Sequence, residues 1–328
     1  MAQLLDVVLL LALPASGKSE TRRYLASLTP EQCVNDMHLG PTIQLDDYPY
    51  VHLMRCVSQE LRTLGQDGVF FDSMDLPMKE PLDWGTLIEL LNEDFADLMA
   101  HRRPAATSAA TWLLDRFDRA RAKVGAEAAF ARLPKDVRAK LEQAIESEAK
   151  GILEERQDAA GEKLEGRTIV IEFARGGAHG AVPPLVPPMG YAYSLACLSD
   201  EILSRASILY VWVTPEESRR RNTERTDPND PGSILNHGVP IAVMMGDYGT
   251  DDMSWLLEHS GRTDTVKVDV RGKVHYLPAV RFDNRDDKTS FVRTDPATWS
   301  QDKIAALHAG LSEGLGRLVR AREAAAAR

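Results

Sequence analysis

Cysteine is scarce in this chain, and that scarcity limits its chemistry at once. Of 328 residues only Cys33, Cys56 and Cys197 are cysteines, and they lie far apart without any C-x-x-C spacing. A scattered, odd-numbered set argues against a disulfide framework and against a thiolate metal site. It fits a reducing compartment, so the cytoplasm is the expected location. No stretch of about twenty uncharged apolar residues occurs, and no membrane-crossing helix is expected. Positive charge is also short: Lys+Arg number 39 against 49 Asp+Glu, a net of −10. Such a surface repels nucleic-acid backbones and anionic membranes at long range. That counts against either as a partner, while leaving room for a local basic pocket that holds a phosphorylated ligand.

What is present reads as globular. Hydrophobic residues make up 44% and charged residues 27%. The length suits one large domain or two ordinary ones, with a core that needs no disulfide or metal staple. Leu4–Leu13 is apolar enough to resemble a signal-peptide core, but Asp6 interrupts it and no Lys or Arg precedes it. A buried parallel strand over Val7–Leu11 explains the run better.

Further strands are expected at Thr42–Leu45, Thr168–Phe173 and Ser207–Val213, each short and rich in branched residues. Lys18–Leu28 reads as a helix stopped before Pro30. Buried strands alternating with helices predict an open parallel α/β sheet with helices on both faces. Between the second and third strands, three helical stripes are expected. They are Leu87, Leu90, Leu91, Phe95 and Leu98; Trp112, Leu113 and Phe117; and Val137, Leu141, Ile145, Glu148 and Ile152, four of these last five apolar. Pro134 suits the first turn of the last of these helices. This divides the chain into an α/β core, residues 1–83 and 166–328, and a helical insertion at 84–165 that could cover an acceptor site. The alternative, helices that simply pack on the sheet, stays open.

Val266–Val270 and Val274–Phe282 flank Arg271-Gly272 and predict a hairpin. Ile304, Leu307, Leu311, Leu315 and Leu318 line one face of a last helix, with a frayed Ala-rich tail expected after Glu323. Asp251 is expected to cap the helix that carries Trp255, Leu256 and Leu257.

The most informative string is Ala12-Leu13-Pro14-Ala15-Ser16-Gly17-Lys18-Ser19. It follows G-x-x-x-x-G-K-[ST], with Ala12 in the first glycine position. Amides from Ala15 to Ser19 would curl around phosphates, and Gly17 would let the chain approach closely. Lys18 would set a cation on the β- and γ-phosphates, and the Ser19 hydroxyl would ligate Mg²⁺. The helix that follows adds a favourable field for anions. Pro14, Ala15, Ser16, Gly17, Lys18, Ser19 and Glu20 are therefore the expected nucleotide-binding residues. An ordinary strand–turn–helix is the plain alternative.

Over Leu9–Arg22 the chain resembles the P-loop kinases. The Leu13-Pro14-Ala15-Ser16-Gly17-Lys18-Ser19 string looks like the phosphate loop of polynucleotide kinases, zeta-toxin-type kinases and related small-molecule kinases. The resemblance implies ATP or another nucleoside triphosphate, Mg²⁺ and a parallel five-stranded core. Ile43-Gln44-Leu45-Asp46-Asp47-Tyr48 resembles the strand-end Asp-Asp-aromatic of uridine- and riboside-kinase-like enzymes. There an Asp acts as base, which would fall on Asp46 or Asp47 here.

The residues support that chemistry independently. A carboxylate at the carboxyl end of a parallel strand can take the proton of an attacking hydroxyl. A turn or helix cap is the alternative use of the same Asp pair. Glu172, at the end of Ile169-Val170-Ile171-Glu172-Phe173, could hold Mg²⁺ through water. Arg175 and His179, in the glycine-rich loop that follows, could bind the acceptor, as could His237. In the P-loop kinases a lid helix sits where Arg219-Arg220-Arg221 and Arg225 occur. Arg221 and Arg225, four apart on one face, would close over the phosphates. A solvated helix of Glu–Arg pairs is the alternative. Asp227–Gly232 would be the hinge.

The function expected from these features is phosphoryl transfer to a hydroxyl of a small molecule or nucleoside-like acceptor. Three alternatives remain: an NTP-hydrolysing switch with no acceptor, a kinase of a nucleic acid or protein, and a binding module whose loop is inert.

Overall fold

The computed structural model describes residues 3–225 and 238–326. Among them six strands form one sheet: β1 (Val7–Leu11), β2 (Thr42–Asp46), β3 (Thr168–Phe173), β4 (Ala206–Trp212), β5 (Thr265–Val270) and β6 (Lys273–Asp283). Their order is β2-β3-β1-β4-β6-β5. Five strands run parallel, and β5 pairs antiparallel with β6 at one edge. The β5–β6 turn puts Arg271 (φ 53) and Gly272 (φ 85) in the left-handed region, as a tight hairpin requires.

Helices α1 (Lys18–Ser27) and α2 (Pro30–Met37) connect β1 to β2. Helices α3 (Tyr48–Thr63), α4 (Asp83–Met99), α5 (Ala109–Lys123) and α6 (Lys135–Ala160) connect β2 to β3. Then come α7 (Gly190–Ala196) and α8 (Asp200–Arg205) before β4. Helices α9 (Pro215–Arg225), α10 (Ile241–Gly246) and α11 (Met253–Glu258) precede β5, and α12 (Gln301–Ala326) follows β6.

The strand sequences are apolar on both faces because both faces are covered. Val7, Leu9, Leu11, Ile169, Ile171 and Ile208 pack against α4, α7, α8 and α11. Val8, Leu10, Val170, Leu209 and Val211 pack against α1, α2 and α12. The result is three layers, helix–sheet–helix.

Helix α4 belongs to two cores. Ile88, Leu91, Phe95 and Leu98 face the sheet, while Trp84, Leu87 and Leu90 face α3, α5 and α6. Each fully buried Leu or Phe contributes about 1.5–3 kcal/mol. Within the expected insertion α4 thus covers the sheet, while the buried apolar residues of α5 pack in the other core. Local signals set their starts. The Ser108 hydroxyl accepts from Thr111 N at the head of α5, and Glu146 of α6 accepts from Ala109 N and Ala110 N.

Trp112 packs, half-buried, against the same core as the fully buried Leu113 and Phe117. Two local expectations need correction. Pro134 stands one residue before α6 rather than in its first turn. The Ala-rich stretch after Glu323 continues α12 to Ala326 instead of fraying at Glu323, as alanine's high helix propensity favours. The expected hinge Asp227–Gly232 lies outside the described residues.

Candidate functional site

The chain leaves β1 at Leu11, turns through Ala12–Gly17 and enters α1 at Lys18. Ala15 (φ 57) and Gly17 (φ 106) are both left-handed. A Cβ on Gly17 would come within 2.5 Å of Thr289 Oγ1 and 2.6 Å of Asn284 Nδ2, so conformation and crowding both demand glycine. The turn is fastened from outside. Ser218 Oγ on α9 donates to Pro14 O at 2.7 Å. Asn284 Nδ2, fully buried after β6, donates to Ser16 O at 2.8 Å and to Thr289 Oγ1. Within the turn and the first turn of α1, Ser16 Oγ and Thr21 Oγ1 are buried without hydrogen-bond partners.

Lys18 Nζ lies 3.7 Å from Glu172 Oε1 at the end of β3. One helical turn on, Arg22 Nη1 lies 2.9 Å from Glu172 Oε2 and 3.5 Å from Asp46 Oδ2. Asp46 and Glu172 stand side by side because β2 and β3 pair in that register. Two cations on one face of α1 therefore meet two carboxylates on adjacent strand ends. Burial pushes the Asp46 carboxyl up to about 7, helped by the negative charges of Glu172 and Asp47 and opposed by the Tyr48 amide and Lys18. The Asp46 side chain still keeps 26% of its surface exposed, so it is reachable.

Asp47 turns the other way. Its Oδ2 accepts from Arg175 Nη1 at 2.6 Å inside the protein. Arg175 also donates to Ser194 Oγ and Trp84 O, and its guanidinium lies 5.0 Å from the Trp84 ring centre. With 2% exposure, Arg175 is a buried structural cation and not the open acceptor-binding arginine expected. Burial pushes the Asp47 carboxyl upward even beside Arg175, and its position removes it as a reachable base.

The other expected residues separate similarly. Glu20 is buried, and its Oε1 accepts from Arg293 Nε at 2.6 Å, which ties α1 to the segment after β6. Its side chain is an anchor, engaged by Arg293. Arg221 is buried too: it donates to Glu217 and to the carbonyls of Asn284 and Arg285. It cannot serve as a lid arginine without breaking that brace. Arg220 is the solvated member, paired with Glu217 and Glu224. Arg225 Nε and Arg219 Nη1 are buried without partners, and burial lowers the affinity of Arg225 for its proton. Pro14 and Ser19 are half-buried. His179 is exposed, and its loop is tied by His179 N to Met245 O at 2.7 Å, not to Lys18 or Asp46. His237 lies outside the described residues.

Asp251 accepts from Met253 N at 2.9 Å and from Tyr210 Oη, but the N-cap of α11 is Asp252, which makes no side-chain capping bond, so the expected cap at Asp251 is corrected. Its neighbour Asp252 accepts from Tyr191 N and Ala192 N at the start of α7.

The structure adds Arg22, Ser218, Asn284, Thr289 and Arg293 to the site. Arg22 carried a signal, because it sits four residues after Lys18 on a helix. The others carried none, since their partners come from distant segments.

A scan against protein-family models and searches among curated proteins and solved structures give no match for this chain.

Proposed function

We propose that this chain is a P-loop-type phosphotransferase. It carries the terminal phosphoryl group of ATP, or another nucleoside triphosphate, to a hydroxyl of a small-molecule or nucleoside-like acceptor. One observation carries the proposal: Lys18, at the head of α1, faces Asp46 and Glu172 on neighbouring strand ends beside a turn held in shape by Asn284 and Ser218. Five parallel strands bring their carboxyl ends to that side, where open α/β sheets bind ligands.

Lys18 exchanges its Glu172 contact for the β- and γ-phosphates as the nucleotide enters. The unpartnered Ser16 hydroxyl and the positive end of α1 add to the anion-binding field. Asp46 takes the proton of the acceptor hydroxyl. As that oxygen bonds to the γ-phosphorus, the bond to the bridging oxygen breaks, and the nucleoside diphosphate leaves with the electron pair. A carboxylate held at about 7 is well matched to this role near neutral pH. Arg225 is assigned to the phosphate charge, because Arg219, Arg220 and Arg221 are each engaged by Glu216 or Glu217.

The donor set suits magnesium. Among the described residues no cluster of three His, Cys, Asp or Glu forms a cage. Mg²⁺ instead takes one or two carboxylates, water and phosphate oxygens. Ser19 and Glu172 would hold it, and it would neutralise charge on the transferring phosphoryl group.

The test is nucleoside diphosphate release with a panel of nucleosides, sugars and other alcohols, with Lys18→Ala as the blank. Release that depends on an acceptor and vanishes in Lys18→Ala supports the proposal. Release at the same rate without any acceptor makes the protein a hydrolase. Absence of heat on mixing with millimolar MgATP removes the nucleotide site altogether.

A further inference from the structure

Two cavities flank Arg22, one apolar and one polar. The larger, about 670 Å³, lies between α1, α2 and the sheet. Its walls are Leu25 and Leu28 of α1's end and Val34 of α2, all half-buried, and its floor includes Val170 and Leu209. The smaller, about 440 Å³, lies between β2 and the end of α6 and is lined by charged side chains, among them Arg156 and Asp46. Arg22, Thr42 and Gln44 line both. The two lie against these shared walls, and we treat them as the apolar and polar halves of one trough, with Asp46 lining the polar half only.

The polar half holds unanswered hydrogen-bonding groups. The Arg156 side chain keeps only 10% of its surface and pairs with Asp94, yet its Nε is buried without a partner. Gln44 Oε1 is likewise buried and accepts nothing. Both atoms are closed off from the cavity, so a ligand's polar end would meet the other polar atoms of Gln44, Arg156 and Arg22 that line it. The apolar half leaves Leu25, Leu28 and Val34 beside a space of the size that ligand pockets have, and an apolar ligand there would recover the transfer energy of their surface.

We infer that this trough seats an amphiphilic alcohol, with its hydrocarbon body between α1, α2 and the sheet and its polar end at Gln44, Arg156 and Arg22. Resting on the phosphotransfer proposal, this names the acceptor class: an alcohol whose hydroxyl reaches Asp46 while its apolar body fills the larger cavity. Charge supports an uncharged polar end. Along the smaller cavity the three arginines Arg22, Arg156 and Arg167 nearly balance the four carboxyls of Asp46, Glu155, Asp158 and Glu162, so a strongly charged end of either sign is not favoured.

The test uses the full chain without nucleotide. A dansyl-tagged long-chain alcohol is titrated by fluorescence and competed with n-decanol or with glycerol. Ala26→Trp, at an exposed position on the cavity wall, and Val34→Trp each fill the space, and thermal melts confirm their folding. Saturable binding that n-decanol displaces, glycerol does not, and both substitutions weaken about tenfold supports the inference. No saturable binding, or binding that neither substitution changes, overturns it. The two proposals fail separately. Alcohol binding without any alcohol phosphate from MgATP leaves the trough assignment standing and removes phosphotransfer. Acceptor-dependent release with small polar alcohols, and no binding of the probe, removes the trough assignment and leaves phosphotransfer.

Discussion

Arg175 Nη1 stands 2.6 Å from Asp47 Oδ2, across 128 residues of sequence and almost wholly inside the protein. That contact divides the Asp46–Asp47 pair into a reachable carboxylate and a buried one. Arg175→Ala should leave Asp47 buried without its cation and cost about 3–5 kcal/mol. The Asp47→Ala and double variants complete a cycle, and urea unfolding should give strong coupling. Independent, additive losses would show that the pair does not act as a unit.

Asp46→Asn should lower phosphoryl transfer by about a hundredfold or more, the usual scale for loss of a general base. Nucleotide affinity should stay within about threefold by calorimetry. Unfolding stability should hold or rise, because burial opposes the charged form of Asp46. Transfer at the original rate would exclude Asp46 as the base.

Gly17→Ala forces a side chain into a φ of +106 and against Thr289 and Asn284. The strained backbone alone costs about 1–3 kcal/mol. Nucleotide affinity should fall by about tenfold or more, since the turn must open to relieve the clash. A variant with unchanged melting temperature and affinity would contradict the crowding described.

Asn284→Ala removes the bonds to Ser16 O and Thr289 Oγ1 and the Asn284 Oδ1 that accepts from Lys288 N. Buried groups left unpaired cost about 1–3 kcal/mol each. Both thermal stability and nucleotide affinity should decline, because the bond to Ser16 shapes the turn proposed to hold phosphate. A loss of stability with no change in affinity would limit Asn284 to a structural role.

Asp251 gives a pH test. Burial lifts its carboxyl from 3.8 to about 6, against the pull of the Met253 amide and the Tyr210 hydroxyl. The folded chain then holds this proton more tightly than the unfolded chain. Its contribution to stability is greatest below about pH 4, falls as pH rises towards 6 and is flat beyond. Asp251→Asn cannot titrate, so its stability relative to the unsubstituted chain should improve by up to about 3 kcal/mol between pH 4 and pH 7. Equal differences in urea midpoints at the two pH values would reject this.

The parts of the fold that local chemistry dictates were legible from the residues. Val7–Leu11 and Thr168–Phe173 read as buried strands because the only polar residues in them are Thr168 and the penultimate Glu172, and both strands are buried throughout. The Arg271-Gly272 turn needed only its own backbone preferences. The strand order did not follow from any local signal. Nor did the destinations of the arginines. Arg175 and Arg221 carry the same side chain as a phosphate-binding arginine, yet partners 128 and 63 residues away fix them as internal braces. Glu20 followed the same course, held by Arg293 at a separation of 273. The place of Lys18 at the head of α1 was legible, because the glycine before it and the helix after it are neighbours in sequence.

The double allegiance of α4 bears on how the molecule comes apart. Ile88, Leu91, Phe95 and Leu98 close the sheet, while Trp84, Leu87 and Leu90 close the bundle of α3, α5 and α6. Neither half can melt without stripping this shared helix of one flank. Heat or denaturant should therefore dismantle both in a single cooperative event, and a version trimmed of residues 84–165 should emerge as an aggregating remnant with its strands laid bare.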